Sequence, residues 1–136
     1  MIKSIYIIAL LFLQPTSDFS ITLSYHPQPF YHQEWFITLA RSQSKAYIAT
    51  NNPQYLRKKR TITINEYATI VQQLNSLGIW HCKDRYIQGN YYMLTITNRN
   101  YRQQCKIEYS PSIPGNNNYS QIIRIILNTA NNYLNN

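Results

Sequence analysis

Glycine, cysteine, acidic side chains and long apolar runs are all scarce in this chain. Three Gly and six Pro among 136 residues are too few for a collagenous or linker-like polymer. The glycine-rich turn and regular strand–helix alternation of a dinucleotide-binding unit are missing as well. Only two Cys occur, and not as a CxxC pair, which argues against a thiol redox enzyme. No HExxH and no spaced His/Cys set marks a metal site. No run approaches the ~20 apolar residues of a transmembrane helix. Five Asp or Glu leave few carboxylates for acid–base chemistry, and charged residues of both signs make up only 13%.

What is present is hydrophobic and aromatic. Residues classed as hydrophobic make up 44% of the chain, and thirteen Tyr stand among them. That composition suits a folded protein, and a chain this long suits one domain of roughly 100–150 residues. Thirteen Lys or Arg against five acids give a net charge of +8 with His neutral. Such an excess favours encounters with an acidic protein, nucleic acid, phospholipid headgroups or an anionic polymer, and selects none of them.

The first residues read as an address. Lys3 precedes nine apolar residues, Ile5 to Leu13, and Gln14-Pro15-Thr16-Ser17 ends the run with polar residues. This is the order of a secretory signal peptide, and as a helix the run would reach only about 14 Å. Residues 1–17 are therefore expected to be an export signal, although Pro15 departs from the small-x-small cleavage pattern. Residues 18–136 are expected to form one small basic α+β domain. Removing the signal takes Lys3 and no acid, one base fewer, leaving +7. The expected location is the periplasm or the medium.

Periodicity then assigns the elements. Phe19, Ile21, Leu23 and Tyr25 alternate with Ser20, Thr22 and Ser24, the signature of a half-buried strand. Pro27 and Pro29 end it. Trp35–Ala40 and Lys45–Thr50 read as a hairpin around Arg41–Ser44. A loop from Asn51 runs into Arg57-Lys58-Lys59-Arg60. Thr63 and Glu66 form a capping-box pair, with Ile62 and Tyr67 at staple positions. Tyr67, Ile70, Val71, Leu74 and Leu77 recur at helical spacing, and Gly78 is the stop. Ile79–Cys82 reads as a short strand. Tyr91–Thr97 and Arg102–Tyr109 read as a second hairpin, and Ser120 to Leu134 as a final amphipathic helix. The expected fold is α+β: an antiparallel sheet of about five or six strands with two amphipathic helices on one face.

Cys82 and Cys105 are an even pair in a chain expected to reach an oxidising compartment, so a disulfide is predicted. The closed segment of 23 residues makes that bridge worth roughly 3 kcal/mol on chain entropy.

Chemical signals are sparse. Glu66 already serves the helix start, and Asp84 sits between Lys83 and Arg85 as a turn anchor. One cluster stands out, His26, His32 and Glu34, with His81 a more distant candidate. His32 with Glu34 or His81 is the weak catalytic alternative, a small secreted hydrolase or nuclease. No cofactor is implied. Arg57, Lys58, Lys59 and Arg60 with Tyr55 are the candidate interface, because directed cationic donors beside an aromatic ring anchor protein contacts. Nucleic-acid contact through the same residues is disfavoured by the export signal and the absence of a binding motif. The leading expectation is a noncatalytic exported binding protein, an inhibitor or immunity-type protein that covers an acidic partner. An envelope structural or adhesion module is the third alternative.

Overall fold

The computed structural model describes residues 19–27, 34–82, 90–98, 101–107 and 118–136. The expected export segment, residues 1–17, lies outside the described residues, as do His32 and Asp84.

Among the described residues, six strands and two helices form an α+β layout. The strands are β1 (Phe19–His26), β2 (Trp35–Ser42), β3 (Lys45–Thr50), β4 (Lys59–Ile62), β5 (Tyr91–Asn98) and β6 (Tyr101–Ile107). The helices are α1 (Ile64–Ser76) and α2 (Asn118–Leu134). All pairings are antiparallel, in the order β4-β3-β2-β1-β5-β6.

The first strand lies inside the sheet because its alternation supplies a full apolar face. Leu23 lies opposite Ile37 on one side and Leu94 on the other, while Ile21 lies between Leu39 and Ile96. All six are almost wholly buried beneath the helices. Each fully buried aliphatic side chain contributes ~1.5–3 kcal/mol relative to an exposed one. From α1 come Tyr67, Ile70 and Leu74, and from α2 Ile122, Ile123, Ile126, Ala130 and Leu134. The three α1 residues fall on the stripe read from the sequence.

The capping box is formed. Glu66 N donates to Thr63 Oγ1 at 3.0 Å, and Thr63 N donates to Glu66 Oε1 at 2.9 Å. Gly78 adopts a φ of +80°, the left-handed conformation that turns the chain away from a helix end without a Cβ penalty.

Two local expectations are corrected. Ile79–Cys82 is not a strand: Ile79–His81 forms a 3₁₀ turn, closed by His81 N donating to Gly78 O at 2.9 Å. The left-handed Gly78 sends the chain into another turn, and Ile79 reaches the core without joining the sheet. The basic segment is also not all loop. Lys59–Ile62 pairs with β3 as an edge strand, with Arg60 opposite Ile48 and Ile62 opposite Ala46. An edge strand is short and charged for good reason, because a long apolar edge would recruit further strands.

The predicted disulfide is present. Cys82 follows the 3₁₀ turn, Cys105 lies in β6, and their Cα atoms are 6.0 Å apart. Gln103 Nε2 also donates to Cys82 O at 2.6 Å, so β6 holds this turn covalently and by hydrogen bond.

Candidate functional site

The basic segment reaches the carboxyl end of α2. Arg57 N donates to Leu134 O at 2.9 Å and Arg57 Nε to Asn136 O at 2.6 Å. Arg60 Nη1 donates to Tyr133 O at 3.2 Å, with its guanidinium 5.9 Å from the Tyr133 ring centre. The last carbonyls of a helix lack internal donors and carry partial negative charge, so two guanidiniums are well placed there. Lys58 Nζ donates to Asn52 O at 3.3 Å, and Lys59 Nζ lies 4.3 Å above the Tyr47 ring. All four basic residues are exposed, and each also has an intramolecular contact. Tyr55 lies elsewhere. Only 4% exposed, it belongs to the core beneath this loop, and burial pushes its hydroxyl pKa up.

The sheet has a second face. Because side chains alternate, positions flanking the buried ones point away from the helices. Phe36, Tyr47, Tyr91 and Met93 stand on this outer face among Ser and Thr, and Phe36 is 36% exposed. Lysines border it: Lys59 over Tyr47, and Lys106 Nζ 5.0 Å from the Tyr91 ring centre. A cation over an aromatic face contributes about 0.5–1 kcal/mol when exposed and holds the ammonium at a defined place.

At one end of this face the structure assembles a polar relay. Ser24 and His26 are two apart on β1 and so share a side of the sheet. Ser24 Oγ lies 2.9 Å from His26 Nε2, and His26 Nδ1 lies 2.7 Å from Glu34 Oε2. A carboxylate only accepts, so Nδ1 is the donor to Glu34, and in the neutral form of the ring Nε2 is the acceptor for the Ser24 hydroxyl. Ser24 is 3.4 Å from Met93 O, a weaker competing acceptor for its single proton. Tyr91 stacks on the imidazole, with ring centres 4.9 Å apart and 17° between planes.

Glu34 is therefore joined to His26. His81 stands at the other end of the sheet, beside Trp80, whose ring is 5.4 Å from that of Phe19. Phe19 and His26 bound the eight residues of β1, about 23 Å of strand, so His81 and Glu34 are not brought together. Sequence reading grouped His26 with His32 and Glu34 but gave the weak catalytic role to His32 with Glu34 or His81, and it passed over Ser24, although the Ser-x-His spacing within a strand was the available signal.

A groove of about 410 Å³ runs between α1 and α2, with Glu66, Gln73, Asn128 and Tyr133 among its lining. Neither His nor Arg lines it. Tyr133 Oη donates to Glu66 Oε2 at 2.6 Å. That bond, together with those from Thr63, holds the Glu66 carboxyl below its ordinary pKa. Burial first, and then the bond to Glu66, pushes the Tyr133 hydroxyl up to about 12.

Among the described residues no three His, Cys, Asp or Glu are gathered as metal ligands, and no helix is long and apolar enough to cross a membrane. No protein-family model matches this chain, and no curated protein matches it significantly.

Proposed function

We propose that this protein is an exported binding module of the inhibitor or immunity type, which lays the outer face of its sheet and its basic edge over an acidic protein partner. The observation that carries the reading is the make-up of that face: exposed Phe36, with Tyr47 and Tyr91 under lysine ammoniums. Aromatic rings give large contact area at little conformational cost, and bordering cations steer an acidic partner and set its orientation. The +8 charge supports the same polarity of partner. The Cys82–Cys105 bridge fits an oxidising compartment, which supports periplasmic or secreted placement. Action is steric, by occlusion of the partner's working surface.

The test begins with the partner purified from envelope or culture medium on the wild-type chain, and continues with its affinity for variants. Lys58→Gln with Lys59→Gln removes two exposed charges and leaves the arginines that hold the end of α2. Phe36→Ala removes an exposed aromatic from the outer face. The charge pair should slow association several-fold and flatten its salt dependence, and Phe36→Ala should speed dissociation. Affinity and salt dependence unchanged in the triple variant would reject this surface.

A further inference from the structure

The relay at the end of β1 has the connectivity of a nucleophile, a base and an orienting carboxylate. We propose that Ser24 is an activated nucleophile and that the outer face cleaves small carboxylic esters with apolar acyl groups. Three observations carry this. Ser24 Oγ, His26 and Glu34 are linked by contacts of 2.9 and 2.7 Å, with the carboxylate on the nitrogen remote from the serine. That arrangement fixes the tautomer a general base requires. The imidazole is held in place by Tyr91 stacked on it. Finally, Ser24 lies between Phe36 on β2 and Met93 on β5, two apolar side chains on the same face to which the proposal assigns the acyl chain.

The chemistry balances with water alone. Ser24 Oγ bonds to the ester carbonyl carbon as its proton passes to His26 Nε2. The bond to the alcohol oxygen then breaks, and that oxygen takes the proton from Nε2. Water repeats the sequence on the acyl-serine, returning the Ser24 hydroxyl and releasing a carboxylic acid. Thr22 and Thr38 share one hydrogen bond at 3.0 Å on the same face. Two hydroxyls in one mutual bond use a single proton between them, and Thr22, two residues from Ser24 on the same face, is the donor the proposal assigns to the oxyanion. Glu34 acts as a positioning residue, through the ring.

This activity goes beyond partner binding and is tested without a partner. Wild-type chain is treated with an alkyl fluorophosphonate, which transfers phosphorus to an activated serine with loss of fluoride, and labelled sites are mapped by peptide mass. Ser20 is the internal control, on the same face but about 20 Å along the strand from His26. General-base assistance adds about 10²–10⁴-fold, so Ser24 should label at least about 100-fold faster than Ser20. His26→Gln and Glu34→Gln should remove that advantage, and Ser24→Ala should abolish hydrolysis of p-nitrophenyl butyrate. Equal labelling of Ser24 and Ser20 in the folded wild-type chain overturns the proposal even if a variant fails to fold. So does fast Ser24 labelling in folded His26→Gln, or ester hydrolysis unaffected by Ser24→Ala.

Discussion

Reducing the Cys82–Cys105 bridge to two thiols breaks one covalent bond and substitutes no residue, which makes it a clean perturbation of this fold. The bridge closes a separation of 23 residues. On the chain-entropy relation, opening such a loop in the unfolded ensemble costs the native state about 3.4 kcal/mol at 25 °C. With a urea slope of about 1.5 kcal/mol per molar for a chain this size, the unfolding midpoint should fall by about 2 M. The slope should also rise, because an uncross-linked unfolded chain exposes more surface. Oxidised and reduced protein are compared by urea titration at neutral pH, followed by circular dichroism. Cys82→Ala with Cys105→Ala forms the third arm. Both cysteines are buried, so the alanine pair should lose the same entropic share plus the packing of two sulfur atoms. Were the reduced protein to unfold within about 1 kcal/mol of the oxidised one, the entropic reasoning would fail. The unfolded chain would then already hold residues 82 and 105 close together.

Two further outcomes follow from the packing and the helix cap. Leu23→Ala, in a strand buried between Ile37 and Leu94, should cost about 3 kcal/mol by urea denaturation, since rigid neighbours on both sides keep the cavity from closing. A loss below about 1 kcal/mol would show that the helices collapse onto the sheet. Glu66 tests the linkage to pH. Its carboxyl is depressed in the fold, by the Tyr133 hydroxyl first and Thr63 next. Its contribution is therefore complete above the unfolded value of about 4.3 and is lost as pH falls through the lower folded value. Urea midpoints of wild-type protein should drop more steeply from pH 5 to 3 than those of Glu66→Gln, and parallel curves would refute the assignment.

Much of the fold was legible because it rests on short-range periodicity. Alternation in Phe19–Tyr25 predicted a one-sided strand, and the Thr63–Glu66 spacing marked the start of α1 to the residue. Ile79–Cys82 misled because a short apolar run beside Trp reads as a strand, while the left-handed Gly78 before it sends the chain into a 3₁₀ turn. Lys59 and Arg60 were read as the end of a loop because charge dominates there, and an edge strand tolerates that charge on its open side. Tyr55 looked like an interface residue beside its cationic neighbours and instead fills the core.

By itself, then, the sequence determined both helices, five of the six described strands and their apolar faces, all properties of spacing along one strand or helix, and it supplied the even pair of cysteines. Tertiary structure alone decided the strand order, with β1 between β2 and β5, and brought Arg57 and Arg60 to the end of α2. It also decided that Glu34, eight residues on from His26, meets its ring and that Tyr91, from a strand sixty-five residues later, stacks on the same ring. Local propensity acts over a few residues, whereas these contacts depend on which strands pair and in what register, and burial of the whole apolar face selects that.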